Sequence, residues 1–327
     1  MKKLNKHLAL AAFLLAPASI SAQSLAPSVP TISGLANFRY SYDSGDDSHH
    51  GFDVRRVRLA ASGDLSPRLD YKVQAEYETS VKVIDAYARV RIAKPFNIQV
   101  GEFKVPFSQE TLYGPTSWLT IENPTAVAKL NGYQDLAGLK SNGRDVGLLI
   151  YGDAFLSADS SFRHFSYKVG VFNGNGINVK DNNNQKDFAL LLYYRPIKSL
   201  AISFGQYIGH FGESDSVEGR DRTSAGIEFK GERLTVRSEY LHGKTAGQKS
   251  DGLYAHAAFR ASKVFQPVVS YDFFKPDADG DERQNNFQAG LNITPLKGVR
   301  VQVAYTLKHY EVASDVHQVE AQALFQF

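Results

Sequence analysis

The sequence predicts an all-β fold, a transmembrane antiparallel β-barrel of about sixteen strands. Three observations predict it. Apolar and polar residues alternate with a period of two along most of the chain, short and long connections alternate between the predicted strands, and the last nine residues form an alternating strand that ends on Phe327. Alternation over about ten residues is typical of a membrane strand that faces lipid on one side and a polar lumen on the other.

The first 22 residues are predicted to be a secretory signal peptide. Three lysines among the first six residues give a positive start, an apolar run follows at 8–15, and small residues at 19–22 offer a cleavage site. The apolar run is shorter than the roughly 20 residues that a membrane-spanning helix needs. We therefore expect residues 23–327 to form a single outer-membrane barrel domain.

Composition excludes several classes of function. Removal of the signal peptide leaves 34 basic and 34 acidic residues, a balance that does not point to nucleic acid as a partner. The chain has no cysteine, which excludes thiol catalysis and cysteine-ligated metal sites. Mean hydropathy is −0.29, and no long apolar run follows the signal peptide, so a helical membrane protein is excluded. We expect no cofactor and no metal ion.

The alternation is clearest in two segments. Between Leu69 and Glu78, apolar side chains at odd positions alternate with charged or amide side chains at even positions. In Val299–Lys308 the odd positions are again apolar, and the opposite face carries Arg300, Gln302, Thr306 and Lys308. Each predicted strand has roughly the 9–11 residues of a tilted membrane strand. The predicted strands lie near residues 31–42, 53–65, 69–79, 83–92, 97–106, 143–153, 164–173, 187–195, 200–208, 222–230, 233–242, 251–260, 265–274, 285–294, 299–308 and 316–327.

The connections indicate the topology. Short ones lie at 66–68, 94–96, 196–199, 231–232, 261–264 and 295–298, and longer polar ones lie at 43–51, 174–186, 209–221, 243–250 and 275–283. Bacterial barrels have short periplasmic turns and longer external loops. An even number of strands lets the first strand pair with the last, which closes the barrel, because lipid cannot satisfy an open edge.

One connection, Phe107–Asn142, is far longer than the rest and contains Trp118, the only tryptophan. It is the third external loop. Loops of this length are uncommon and are usually functional. We expect it to fold into the pore and narrow the channel. The alternative is a surface loop that covers the barrel or contacts neighbouring protomers.

The polar faces of the strands carry many charges, which a dry core would accommodate only at a heavy cost in desolvation. A barrel of about sixteen strands leaves a water-filled channel instead. Basic residues moderately outnumber acidic ones on this face, and rings of arginine or lysine favour anions. The alternative is that mixed charges form salt-bridged ladders that brace the wall. The candidate residues of an anion path are Arg56, Arg58, Lys72, Arg89, Arg91, Lys104, Lys129, Arg144, Arg237 and Arg300.

Several motifs between residues 50 and 150 support a family assignment. They are Phe52–Leu59, Leu65–Tyr71, Asp85–Tyr87, Val100–Phe107 and Gly143–Gly147. The first resembles the arginine-rich opening strand of the phosphate-selective porin O and P family, and the others resemble its first turn, its next strands and the strand after its long loop. The resemblance implies a sixteen-stranded trimeric barrel with the third loop inside the pore, which passes anions such as phosphate.

The function expected from the sequence is that of an outer-membrane porin. Small anionic or neutral solutes would diffuse passively through it, with a mild preference for anions. We expect a homotrimer that contacts outer-membrane lipid and reaches the bacterial outer membrane through the periplasm. One alternative is an enzyme, with His242, His256 or the His49–His50 pair as candidates, although no nucleophile motif accompanies them. Another is a structural or adhesive barrel with a blocked lumen.

Overall fold

The structure is a computed structural model that describes residues 29–45, 48–139, 141–213 and 216–327. The predicted signal peptide lies outside these residues. The strands in the described part are β1 (Thr31–Asp43), β2 (His49–Ser66), β3 (Leu69–Glu76), β4 (Lys82–Ala93), β5 (Phe96–Lys104), β6 (Arg144–Leu156), β7 (Arg163–Phe172), β8 (Asp187–Ile197), β9 (Leu200–Ile208), β10 (His210–Phe211), β11 (Glu218–Lys230), β12 (Leu234–Thr245), β13 (Gln248–Phe259), β14 (Phe265–Lys275), β15 (Gln284–Leu296), β16 (Val299–Tyr310) and β17 (Val316–Gln326).

Sixteen of these strands form a closed antiparallel wall in the described part of the chain. The two-residue β10 only continues the sheet beyond β9 and pairs with the start of β11. Each wall strand pairs with its neighbours in sequence, and β1 pairs with β17 along nine residues, from Leu35 opposite Gln326 to Asp43 opposite Gln318. The predicted sixteen-stranded barrel is confirmed. Closure gives every wall strand two partners, as a membrane environment requires.

The outer surface of the wall is apolar. Each wall strand carries at least one large apolar side chain that is exposed on the outside, namely Phe38, Leu59, Val73, Val90, Val100, Leu148, Val171, Leu192, Phe204, Ile227, Tyr240, Phe259, Val269, Phe287, Val303 and Val319. Inward-facing positions alternate with them and are largely polar. None of the helices in the described ranges is long and apolar enough to cross a membrane.

One predicted loop is wrong. Residues 243–250 were expected to form a long polar connection, but β12 continues to Thr245 and β13 begins at Gln248. The turn between them is Ala246–Gly247, with φ of 51° and 87°. Two successive positive φ values are typical of a tight hairpin turn whose twist matches that of the strands. The polar residues that suggested a loop belong to strand ends.

A β-bulge changes the orientation of one residue in β2. Asn37 pairs with Arg56 and Phe38 pairs with Val54, so Arg55 is an extra residue in the ladder. A bulge puts two residues opposite one and lets adjacent side chains share a face. Arg55 and Arg56 therefore both point into the barrel, where both contact Glu122.

The third loop, residues 105–143, joins β5 to β6. It contains α1 (Gln109–Leu112), a 3-10 turn (Pro115–Ser117) and α2 (Thr125–Leu130). Its apolar side chains and inward-facing side chains of the wall form a buried core that includes Phe103, Phe107, Val127, Leu130, Leu149, Phe172, Leu241, Tyr254 and Phe274. The interior of the barrel is thus partly filled by a dry cluster between the loop and the wall.

Inward-facing glycines let the third loop lie directly on the wall. A Cβ atom at Gly205 would come within 1.9 Å of the Phe107 carbonyl oxygen, and one at Gly252 within 2.4 Å of the Ala126 Cβ atom. Contacts this short do not occur in folded proteins, so larger residues at these two positions would push the loop away. These glycines on β9 and β13 are part of what places the loop inside the barrel.

Candidate permeation pathway

The third loop is anchored first to β12. Glu239 on this strand is fully buried, and its carboxylate accepts hydrogen bonds from the Ser108 hydroxyl at 2.7 Å and the Gln109 backbone N–H at 2.8 Å. The Tyr254 hydroxyl donates to the same carboxylate at 2.9 Å. The start of the loop is therefore held against the side of the barrel that lies across from β5.

Two arginines of the wall hold the middle of the loop. Arg300 donates to the Thr116 and Trp118 carbonyl oxygens at 2.9 and 2.7 Å. Arg237 donates to the Ser117 carbonyl oxygen at 3.2 Å, and its guanidinium lies 3.6 Å from the centre of the Tyr113 ring. Guanidinium groups suit this task because they carry several donors in a fixed plane.

A third anchor brings the loop to β1 and β2. The Glu122 carboxylate accepts two hydrogen bonds from Arg55, at 2.9 and 3.0 Å, and one from Arg39 at 2.9 Å. Arg56 lies 3.8 Å from it and stacks over the Trp118 ring at 4.8 Å. Burial raises the pKa of Glu122, but the charges of the three guanidinium groups outweigh burial and hold this pKa below its usual value. Glu122 is therefore ionised at neutral pH.

These anchors carry the third loop across the interior of the barrel, where two cavities lie along it. The outer cavity, of about 740 Å³, is lined by residues of the connection between β3 and β4, such as Glu78 and Ser80. The inner cavity, of about 580 Å³, is lined by residues near the chain ends, such as Gly34 and Gln326. Four residues line both cavities: Arg58, Lys104, Pro115 and Arg144. We call these four residues the junction.

Three of the four junction residues are cations. Arg58 donates to Glu76 at 2.7 Å, and Arg144 donates to Asp85 at 2.9 Å. The Lys104 ammonium donates to two uncharged acceptors, the carbonyl oxygens of Thr111 and Tyr113, at 2.7 and 2.6 Å. The hydrogen bonds of Lys104 thus go to carbonyl oxygens, whereas Arg58 and Arg144 each reach a carboxylate.

Cations also dominate both cavities. Among the described residues, the outer cavity is lined by nine cationic and five acidic side chains. The inner cavity is lined by five cationic side chains and one acidic side chain. The inner cations are Arg58, Lys72, Lys104, Arg144 and Lys168, and the acid is Asp85. A solute in either cavity would therefore be surrounded by more basic than acidic side chains.

A family model described as phosphate-selective porin O and P matches residues 33–261, more than half of the chain. The chain belongs to this family. It is an outer-membrane porin, a β-barrel channel of the bacterial outer membrane. Among curated protein sequences no significant match is found.

Solved structures share the fold of this porin. The anion-selective porin from Comamonas acidovorans is 15% identical with a TM-score of 0.73, and the similarity covers 91% of this chain and 99% of that one. OmpF of Salmonella typhi, in complex with daunomycin, is 15% identical with a TM-score of 0.66, over 91% and 97% of the two chains. The trimer form of in-vitro folded OmpT from Vibrio cholerae is 13% identical with a TM-score of 0.64, over 91% and 99%.

The structure separates the ten sequence-predicted residues of the porin into three groups. Arg56, Arg58, Lys72, Lys104, Lys129 and Arg144 line one or both cavities. Arg89 and Arg91 lie near the turn end of β4, where both contact Asp70, at 2.6 and 3.4 Å. Arg237 and Arg300 lie against the third loop and line neither cavity. Six of the ten thus come together along one route.

Sequence reasoning missed several charged residues of the pathway. Strict alternation would place the Arg55 side chain on the lipid-facing side of β2, but the bulge places it on the lumen-facing side. Two adjacent arginines in a membrane strand are themselves a signal of a bulge, because one of them would otherwise face lipid. Arg39 and Lys168 also line the cavities, and Glu122 was missed because its partners are distant in sequence.

The histidines considered as catalytic residues have other contacts in the porin. His256 is buried, and its Nδ1 lies 2.7 Å from the Ser270 hydroxyl oxygen. His242 Nδ1 lies 2.8 Å from the Asp251 carboxylate. Within the described residues, no group of three or more His, Asp or Glu side chains is arranged to hold a metal ion.

Glu110 should make the stability of the porin depend on pH. It is buried on the third loop, and burial, together with the neighbouring Glu239, raises its pKa from 4.5 to about 7 against the opposing effect of Arg237. The folded protein thus keeps this proton between pH 4.5 and 7, whereas the unfolded chain loses it, so stability falls as pH rises through this range. At pH 8 the ionised group costs on the order of 3 kcal/mol.

We therefore expect Glu110→Gln to raise the unfolding temperature at pH 8 and to change it little at pH 4.5. The unfolding temperature is measured as the temperature of heating at which the band in gel electrophoresis shifts from the position of the folded barrel to that of the unfolded chain. Glu232→Gln, at an exposed site between β11 and β12, is the matched control. An equal loss of stability at both pH values in Glu110→Gln would contradict the prediction.

Proposed function

We propose that the porin lets small solutes diffuse passively across the bacterial outer membrane, with a mild preference for anions such as phosphate. The observation that carries this proposal is the junction, where the two cavities share Arg58, Lys104 and Arg144. Rings of arginine and lysine favour anions in pores. We propose a channel and no catalytic activity for the barrel.

The expected preference is moderate because carboxylates share the junction region. Glu76 is bonded to Arg58, and Asp85 is bonded to both Arg144 and Lys72. With Lys104, this gives four basic and two acidic side chains at and beside the junction. A net excess of positive charge attracts anions, and the two carboxylates keep their binding weak enough for release.

We also propose the assembly of the porin, its contact with lipid and its route of export. The porin from Comamonas acidovorans is anion-selective, and the family is that of phosphate-selective porins, which agrees with the excess of basic residues along the two cavities of this chain. The trimer form of OmpT from Vibrio cholerae supports a homotrimer with the apolar outer surface in contact with lipid. We propose that residues 1–22 direct export through the periplasm and are then removed, which leaves the barrel domain 23–327.

Reversal potentials of single channels test the proposal. Refolded porin in a planar bilayer, with a tenfold gradient of potassium chloride, should show stepwise conductance. The reversal potential should have the sign of the chloride equilibrium potential. Phosphate added to one side should lower the chloride current at millimolar concentrations. A reversal potential with the sign of the potassium equilibrium potential would contradict the anion preference. Folded barrels without conductance would contradict the proposal that the protein is an open channel. Heat-unfolded protein is the control for bilayer leakage.

A further inference from the structure

The two cavities differ in the side chains that line them together with the cations. In the outer cavity the cations share the wall with five carboxylates: Glu76, Glu78, Glu122, Asp272 and Glu320. In the inner cavity, as far as the described residues show, five cations share the wall with a single carboxylate and with a set of apolar side chains. These are Leu35, Tyr87, Phe103, Pro106, Leu112, Pro115 and Leu149. The inner cavity therefore combines positive charge with apolar surface.

The apolar part of the inner cavity is well ordered by packing. Phe103 lies edge-to-face with Tyr87 at 6.2 Å between ring centres and with Phe172 at 5.5 Å. Phe103 and Leu149 are nearly fully buried behind the surface of the cavity, whereas Tyr87 and Leu112 are half-buried. Tyr87 on β4 and Leu112 on the third loop are thus the apolar residues that an occupant would touch.

The cationic part lies within the same cavity. Lys104, Arg144 and Arg58 come from the junction, and Lys72 and Lys168 come from β3 and β7. Lys72 contacts Asp85 at 3.2 Å, while the Lys168 ammonium lies 5.1 Å from the centre of the Tyr151 ring. The only acidic side chain of this cavity among the described residues is Asp85, so an incoming carboxylate meets little repulsion.

We infer that the inner cavity binds small amphipathic organic anions, specifically monocarboxylates with an aromatic or branched apolar body. This rests on the proposed function, because the site lies on the anion path. The carboxylate would pair with cations of the junction, and the apolar body would lie against Tyr87 and Leu112. Charged hydrogen bonds to a carboxylate and burial of a ring against apolar surface are separate sources of affinity.

The size and composition of the inner cavity fit this class of ligand. Its volume of about 580 Å³ falls in the range of roughly 300–1,000 Å³ that is usual for small-molecule sites. Inorganic anions would use only the cations. An aromatic carboxylate would also use the apolar surface, and burial of one face of a ring is expected to tighten binding about tenfold relative to acetate.

Current block in single-channel recordings tests the inference with three probes. Benzoate carries the ring and the charge, acetate carries the charge alone, and benzyl alcohol carries the ring alone. We expect benzoate to reduce the chloride current at a concentration about tenfold lower than acetate does, and benzyl alcohol to have no comparable effect. Equal block by benzoate and acetate in an anion-selective channel would overturn the inference and leave the proposed function intact.

Variants locate the site. Leu112→Ser and Tyr87→Ser should each weaken the block by benzoate severalfold and leave the block by acetate unchanged. Tyr310→Ser is the matched control, because Tyr310 is a half-buried aromatic residue of the outer cavity. If one of the two variants does not fold, the other variant alone tests whether benzoate binds in the inner cavity. Undiminished benzoate block in a folded variant would overturn the assignment to this cavity. A channel that lacks anion preference before any probe is added would instead overturn the proposed function, and the inference with it.

Discussion

Replacement of Lys104 by methionine is expected to lower the ratio of chloride to potassium permeability about fivefold or more. Lys104 lines both cavities, and its ammonium is bonded to two carbonyl oxygens rather than to a carboxylate. An elementary charge about 5 Å from a passing ion changes its energy by about 1–3 kcal/mol at the effective dielectric constants of a wet protein interior. Loss of this charge should therefore move the reversal potential in a salt gradient towards zero.

Lys104 is the best position for this test because its charge can be removed alone. Replacement of Arg58 would leave Glu76 without this partner, and replacement of Arg144 would leave Asp85 with Lys72 alone, so the effects of a lost cation and of a less compensated carboxylate would be mixed. Methionine keeps the length of the side chain. Lys104→Arg, which keeps the charge and the donors, should retain the wild-type reversal potential.

Arg91→Gln supplies a second control, since Arg91 is a half-exposed cation near the turn end of β4 and lines neither cavity. It should change the reversal potential much less than Lys104→Met. If the two variants change the permeability ratio equally, the selectivity comes from the overall charge of the lumen and the junction has no special role. That outcome would contradict the prediction.

The architecture of the barrel could be predicted because it depends on local patterns. A strand in a membrane wall must alternate between lipid and lumen, and each segment such as Leu69–Glu78 carries this pattern in its own sequence. Closure follows from the even number of strands and from the cost of an open edge in lipid. The incorrect loop at 243–250 has a local cause as well, because strand ends such as Lys244 and Lys249 are as polar as loops.

The pathway could be predicted only in part because it depends on contacts between distant residues. Basic residues on the polar faces were identified, but alternation could not separate Lys104 at the junction from Arg237 and Arg300 beneath the third loop. That separation depends on where residues 105–143 lie. Their position is set by Glu239, by the three arginines around Glu122 and by the glycines of the wall. None of these pairings has a signature in a single sequence.

Removal of the Glu239 side chain is expected to release the start of the third loop from the wall. Its carboxylate accepts hydrogen bonds from the Ser108 hydroxyl, the Gln109 and Glu110 backbone N–H groups and the Tyr254 hydroxyl. All of these donors are buried, so Glu239→Ala would leave them without their acceptor. Breaking a buried network of this kind costs on the order of 3–5 kcal/mol, of which the loss of repulsion between Glu239 and Glu110 recovers a part.

Two measurements follow the release of the loop in Glu239→Ala. Trypsin should cleave after Lys129, on α2, much faster than in the wild type, because a peptide bond must leave the packed loop to enter the protease. Single-channel conductance should rise and become noisier, since the third loop lies between the two cavities. Glu232→Ala, at an exposed acidic residue between β11 and β12, is the matched control and should change neither measurement. Wild-type protection of Lys129 together with wild-type conductance in Glu239→Ala would mean that the anchors at Arg237, Arg300 and Glu122 suffice, because the loop would then keep its position without the β12 carboxylate.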